Sequence, residues 1–149
     1  MKTLQEVRNI LSDIEPDEGM YAKLDVEDIP HLKTLLGDEE AWMASRAVFA
    51  LSRLETEEAH NLVIEAAKDS RSAVRVAAAV SSSLLPAKAA DKLLDTLIAD
   101  KDVSVKRFAI TSMSKNASAK LVKKLADISA NDANEFIRTV SADKLKELK

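Results

Sequence analysis

The chain has 149 residues, 46% apolar and 32% charged, with a net charge of −3. That is long enough to bury a core as one domain and too mildly charged to specify a partner. Two glycines and three prolines supply too few turn formers for a β-protein, and no cysteine is present to build a disulfide framework or a thiolate metal site.

From the N-terminus, residues 3–14 are expected to form a helix with Leu4, Val7, Leu11 and Ile14 on one face and a capping box from Thr3 and Glu6. A polar stretch, Glu15 to Lys23, follows, with Pro16 and Gly19 as breakers. Residues 1–24 are therefore taken as a capping helix and linker, and 25–149 as a repeat region within a single domain. No stretch has signal-peptide or membrane-span length, so a cytoplasmic location is expected.

From residue 25 the pattern repeats every 31 residues. Asp38, Asp69, Asp100 and Asn131 mark four turns. Ahead of each lie apolar columns, Leu32, Val63, Leu94 and Leu125, then Leu35, Ala66, Leu97 and Ile128, with Ala59, Ala90 and Leu121 further upstream. After each turn come Met43, Val74, Val105 and Phe136, then Ala47, Ala78, Ala109 and Val140. Spacings of three and four put each set on one helical face, so every unit is expected to be two helices joined at the Asp or Asn. Small residues in the 47, 78 and 109 column let neighbouring helices approach closely. Asp143 and Lys144 then fall where unit one has Ala50 and Leu51, so the last helix is expected to turn polar. The fold class is all-α, an α–α superhelix of four two-helix repeats behind one capping helix.

An Asp, a Val five residues on, a basic residue beside it and then a small pair occur as Asp69, Val74, Arg75, Ala78, Ala79 and as Asp100, Val105, Lys106, Ala109, Ile110. These residues resemble the HEAT-repeat superfamily in its short, phycobilisome-lyase-like form, and Pro30 matches a proline common in that family's first helix. The resemblance covers residues 25–149. It implies a solenoid in which Asp69, Arg75, Asp100 and Lys106 form a structural ladder between adjacent turns. It implies no lyase activity by itself, since a fold does not fix a function.

The residues give little sign of catalysis. His31 and His60 occupy different repeat columns, and both glycines are isolated. The carboxylate clusters, such as Asp38-Glu39-Glu40, sit at helix starts, where they favour the helix dipole. Ser81-Ser82-Ser83 lacks a neighbouring base, and the hydroxyls are expected to bond back to helix carbonyls. The expectation is a protein that is not an enzyme, with no metal, no cofactor and no membrane partner.

In HEAT arrays the second helices line the concave side. The 31-residue register puts Trp42, Ser45, Arg46, Phe49 and Arg53 there in unit one, and Ala73, Val76, Ala77, Val80 and Leu84 in unit two. It adds Ser104, Arg107, Phe108, Thr111 and Lys115 from unit three, and Glu135, Arg138, Thr139, Ala142 and Lys146 from unit four. This face carries six basic residues and one acid in a chain of net −3. Trp and Arg are enriched at binding hot spots. The partner-binding set is therefore Trp42, Arg46, Phe49, Arg53, Val76, Val80, Leu84, Arg107, Phe108, Lys115 and Arg138. The expected role is a scaffold that binds another protein through an acidic and apolar segment, the chain itself being a monomer. The alternative is a nucleic-acid-binding array using the same basic face, which the sequence pI near 5.5 disfavours. An accessory subunit of an enzyme is a third possibility.

Overall fold

The computed structural model describes residues 1–149. It contains helices and turns and no strand. Helix α1 (Leu4–Leu11) and the short α2 (Glu18–Tyr21) precede four helix pairs: α3 (Ile29–Leu35) with α4 (Ala41–Ser52), α5 (Glu57–Glu65) with α6 (Ser72–Ser81), α7 (Ala87–Leu97) with α8 (Val103–Ser112), and α9 (Ala119–Asn131) with α10 (Glu135–Glu147). Single 3-10 turns at Val26–Asp28, Ala66–Lys68 and Ser82–Leu84 adjoin α3, α5 and α6. This is the α–α solenoid that the repeat implies.

Local chemistry sets the helix starts. Thr56, Asp102, Ser118 and Asn134 each accept a bond from the backbone N–H three residues on, as N-caps do. At α1 only half of the anticipated capping box forms: Thr3 accepts from the Glu6 amide, with no return bond from the Glu6 carboxylate. The helix also stops at Leu11, so Ile14 lies outside it and is 94% exposed, while Val7 and Leu11 are fully buried.

One apolar cluster runs the length of the stack. Leu32, Val63, Leu94 and Leu125 are all buried, each stabilising the fold by roughly 1.5–3 kcal/mol relative to an exposed side chain. The second helices α4, α6, α8 and α10 pack side by side more closely than the first helices do. Ala44, Ala47, Ala77, Ala78 and Ala109 are buried there, and their size permits the approach. A row packed closer than its partner row lies on the inside of the curve, so the stack bends toward the second helices.

The fixed 31-residue register fails in one place. In unit four the buried positions are Ile137 and Ser141, both 0% exposed, whereas Phe136 is 50% exposed. The turn residue moves with them. The Asp38, Asp69 and Asp100 carboxylates accept from the amides of Glu40, Arg71 and Asp102, two residues on. In the fourth turn that bond goes to Asp132, which accepts from the Asn134 amide. Asn131 is the last residue of α9. One extra residue has been taken up at the end of that helix, and Asp132, Ile137 and Arg138 then reproduce the Asp, apolar, basic spacing of units two and three. The shift also moves Lys144 onto the Ala50 column. Lys144 is buried, and its ammonium donates to the carbonyls of Thr111 and Met113 at the end of α8. The polar ending of the last helix is thus partly a cap for α8, the second helix of the preceding unit.

The turn edge is tied together by ions. Arg75 pairs with Asp100 of the next turn at 2.9 Å, and Lys106 with Asp132 at 2.7 Å. Arg75 also donates to the carbonyls of Asp69 and Ser70 in its own turn. Arg8 of α1 pairs with Asp38. Asp69 has no basic residue to meet in unit one, where the column holds buried Ala44, and it binds Arg71 instead. Arg71 in turn donates backward to the carbonyls of Leu36 and Asp38. These contacts hold three carboxyls below the usual carboxylate range: Asp38 through its bond from Arg8, Asp69 through Arg71, and Asp132 through Lys106.

Candidate functional site

The corrected register redraws the second-helix face. In unit four it now presents Phe136, Thr139, Val140, Asp143 and Glu147 in place of Glu135, Arg138, Thr139, Ala142 and Lys146. Arg138 leaves the face for the ladder column, where its guanidinium donates to the Asp132 carbonyl. Phe136 joins the column of Trp42, so all three Phe lie on this face. The strongly basic face is corrected too: Arg46, Arg53, Arg107 and Lys115 now stand against Asp143 and Glu147, a net of +2.

Two of the remaining cations are already engaged. Arg46 donates from Nη1 to the carbonyls of Leu11 and Asp13, satisfying the C-terminal end of α1, and lies 5.0 Å from the Trp42 ring centroid. Arg53 binds the Glu18 carboxylate through Nε and Nη2, donates from Nη1 to the Phe49 carbonyl, and lies 4.2 Å from the Tyr21 ring centroid. Arg107 forms no hydrogen bond and stacks 5.0 Å from Phe108. Lys115 is exposed. Arg46, Arg53 and Arg138, which the sequence put in the partner-binding set, are thus engaged in internal contacts.

The apolar members gather at units one and two. Val80 is 39% exposed and Leu84 50%, while Phe49 and Val76 are half-buried. Tyr21, Phe49, Arg53, Val80 and Leu84 surround a depression of about 330 Å³ with Ser81 and Ser83. A second depression of about 640 Å³ shares Arg53 and Leu84 with it and reaches His60 and Pro86. Trp42, at the far end of α4, is 46% exposed, and neither it, Arg107, Phe108 nor Lys115 lines these depressions.

Two residues of this site were invisible to repeat reasoning. Glu18 and Tyr21 come from the non-repeating segment ahead of unit one, where no column exists to place them. The Arg53 contact lowers the Glu18 pKa, and burial raises that of the Tyr21 phenol. The serine run also differs from expectation. Ser83 Oγ bonds back to the Val80 carbonyl, but Ser81 Oγ and Ser82 Oγ are buried with no partner. Helix geometry does not bring them onto a free carbonyl. No group of three metal-ligating side chains is assembled, and His31 is bonded to the Lys2 carbonyl.

The chain matches no family model and no curated protein. It does match solved structures. Over 95% of its length it superposes on 96% of a chain in the complex of CpcE and CpcF of phycocyanin lyase from Nostoc sp. PCC7120, with a TM-score of 0.70 and 19% identity. The shared feature is the fold. The resemblance drawn from the ladder residues to short, phycobilisome-lyase-like HEAT repeats thus holds in three dimensions. The same finding corrects the expectation that the chain is not an enzyme: this architecture, at nearly this full length, occurs in a lyase complex. No helix is long and apolar enough to cross a membrane.

Proposed function

We propose that this chain binds a protein partner on its second-helix face, centred on the depressions between units one and two, and that it does so as a subunit or accessory of an enzyme complex. The observation that carries the reading is the clustering of Phe49, Val80 and Leu84 around one indentation beside a fixed Arg53. Apolar side chains scattered singly need no explanation, but a rimmed cluster on the inner side of a solenoid fits an anchor site. Trp42 and Phe136 extend the surface along the α4 and α10 starts, and Arg107 and Lys115 supply the charge that orients a mildly acidic partner.

The test is retention of a partner from extracts of the source cells by the tagged chain. Leu84→Glu and Trp42→Ala are both surface changes, so their helical circular dichroism should match that of the unsubstituted chain. Leu84→Glu should abolish retention and Trp42→Ala weaken it. Full retention by both variants would overturn the assignment of the face.

The lyase connection has one specific support, the fold shared with the Nostoc phycocyanin lyase complex. In that reading the partner is a second helical-repeat chain and the pair acts on a protein resembling phycocyanin. Mixing the chain and its retained partner with phycocyanin and assaying lyase activity tests it, and inactivity of the pair would leave the binding role alone. A nucleic-acid role loses its basis, because the net charge of the face has fallen to +2 and two of its arginines are internally bonded.

A further inference from the structure

Arg53 is held before any partner arrives. Its Nη1 donates to the Phe49 carbonyl at 2.7 Å and its guanidinium lies 4.2 Å from the Tyr21 ring. Its side chain is only 24% exposed, against 78% for the Glu18 side chain that it binds through two nitrogens. The cation is thus preorganised, and the anion sits on the four-residue helix that also carries Tyr21, its carboxylate bonded to Arg53 alone. The Glu18 carboxylate is open to water, and an incoming carboxylate makes the same two charge-assisted bonds to Arg53 that Glu18 gives up, so the exchange costs little. Directly beside this pair lies the apolar lining of Phe49, Val80 and Leu84.

We infer that Glu18 is an in-chain stand-in for a partner carboxylate. The occupant of the depression is an acidic protein segment whose Asp or Glu displaces Glu18 from Arg53 and whose neighbouring large apolar side chain fills the space between Phe49, Val80 and Leu84. This deepens the binding reading above and rests on it. It adds the partner's chemistry and a competition built into the chain: residues 12–23 hold the site in a partly occupied state, and binding releases Glu18.

The test uses the full chain and a blocked peptide of sequence Gly-Ser-Glu-Phe-Leu-Ser-Gly, followed by amide and arginine Nε–H chemical shifts in NMR. The peptide should shift the signals of Arg53, Val80 and Leu84. Glu18→Gln removes the competitor, and its affinity for the peptide should rise about two- to five-fold, the range an exposed ion pair supports. A peptide with Gln in place of Glu should bind both chains equally and more weakly. Arg53→Gln should abolish the preference for the Glu peptide. If Arg53→Gln fails to fold, Leu84→Glu serves instead, and it should eliminate binding by placing a like charge at the rim. Equal affinity of the native chain and Glu18→Gln, equal binding of Glu and Gln peptides, or no shift at these residues would each overturn the inference. A partner retained through Trp42 and Leu84 yet indifferent to Glu18→Gln would sink this inference alone and leave the binding face standing.

Discussion

The two long edges of the solenoid are built on opposite terms. Along the turn edge each of the four column aspartates finds a cation: Arg8 on Asp38, Arg71 on Asp69, Arg75 on Asp100 and Lys106 on Asp132. Along the other edge, where each second helix hands over to the next unit, Ser81 and Ser82 bury hydroxyls without partners. The depressions of units one and two open there, as does a cavity of about 180 Å³ under Ser82, Ser112 and Asp91. The turn edge ties neighbouring units together with ion pairs, although a depression of about 270 Å³ opens beside Asp69; the other edge leaves two buried hydroxyls without partners. Residues that hold the array together and residues that receive a partner can thus be changed separately, and substitutions should reveal the division.

The largest effect should come from Arg75→Ala. Both members of its pair with Asp100 are buried, at 8% and 9% side-chain exposure, and removing one partner of such a pair costs about 3–5 kcal/mol by leaving the other charge unmatched. Chemical denaturation should show this as a lower midpoint with an unchanged slope. A loss below about 1 kcal/mol would mean the turn edge is no firmer than an ordinary surface.

Acid should attack the same edge next. Asp38, Asp69 and Asp132 are held below their ordinary range by Arg8, Arg71 and Lys106. A carboxyl depressed in the folded state contributes stability that is complete above its unfolded value, about 3.9, and is lost as pH falls through the lowered folded value. Thermal midpoints should therefore hold flat above about pH 5 and drop steeply below about pH 4. Lys106→Met should make that acid limb shallower, because one carboxylate would then titrate near its ordinary range.

Lys144→Met should cost less, about 1–2 kcal/mol, since the stem stays packed while the Thr111 and Met113 carbonyls lose their ammonium. At the other edge the sign should reverse. Ser82→Ala removes a buried hydroxyl with no partner, and stability should stay level or rise by up to about 1 kcal/mol. A clear loss from Ser82→Ala would show that this hydroxyl has a partner in solution and would erase the contrast between the edges.

How much of this was legible depended on whether a residue belonged to a column. Leu32, Val63, Leu94 and Leu125 repeat, and burial followed the repeat. The Asp–basic spacing also repeats, and Arg75 meets Asp100 of the next turn while Asp69 takes Arg71 of its own. Unit four was misread because a fixed period cannot see an insertion. Asp132 was available in the sequence as the better turn residue, since Ile137 and Arg138 follow it at the right distances. Glu18 and Tyr21 stayed hidden for a different reason: they meet Arg53 only through a chain reversal in a segment with no periodicity. The commitment of Arg46 to the end of α1 was hidden likewise, because carbonyls accept bonds without leaving any mark in a sequence.

The added residue at the end of α9 has a consequence for how such arrays can change. An insertion inside a helix would rotate everything after it by about 100° and expose the core. Placed just before a turn whose aspartate restarts the pattern, it leaves every later residue, buried or outward, in its place relative to that aspartate. Phe136, Asp143 and Glu147 therefore hold the receiving face, although a fixed 31-residue count would give it Arg138 and Lys146. Repeat proteins of this kind can thus lengthen a connection without disturbing either face of the unit that follows.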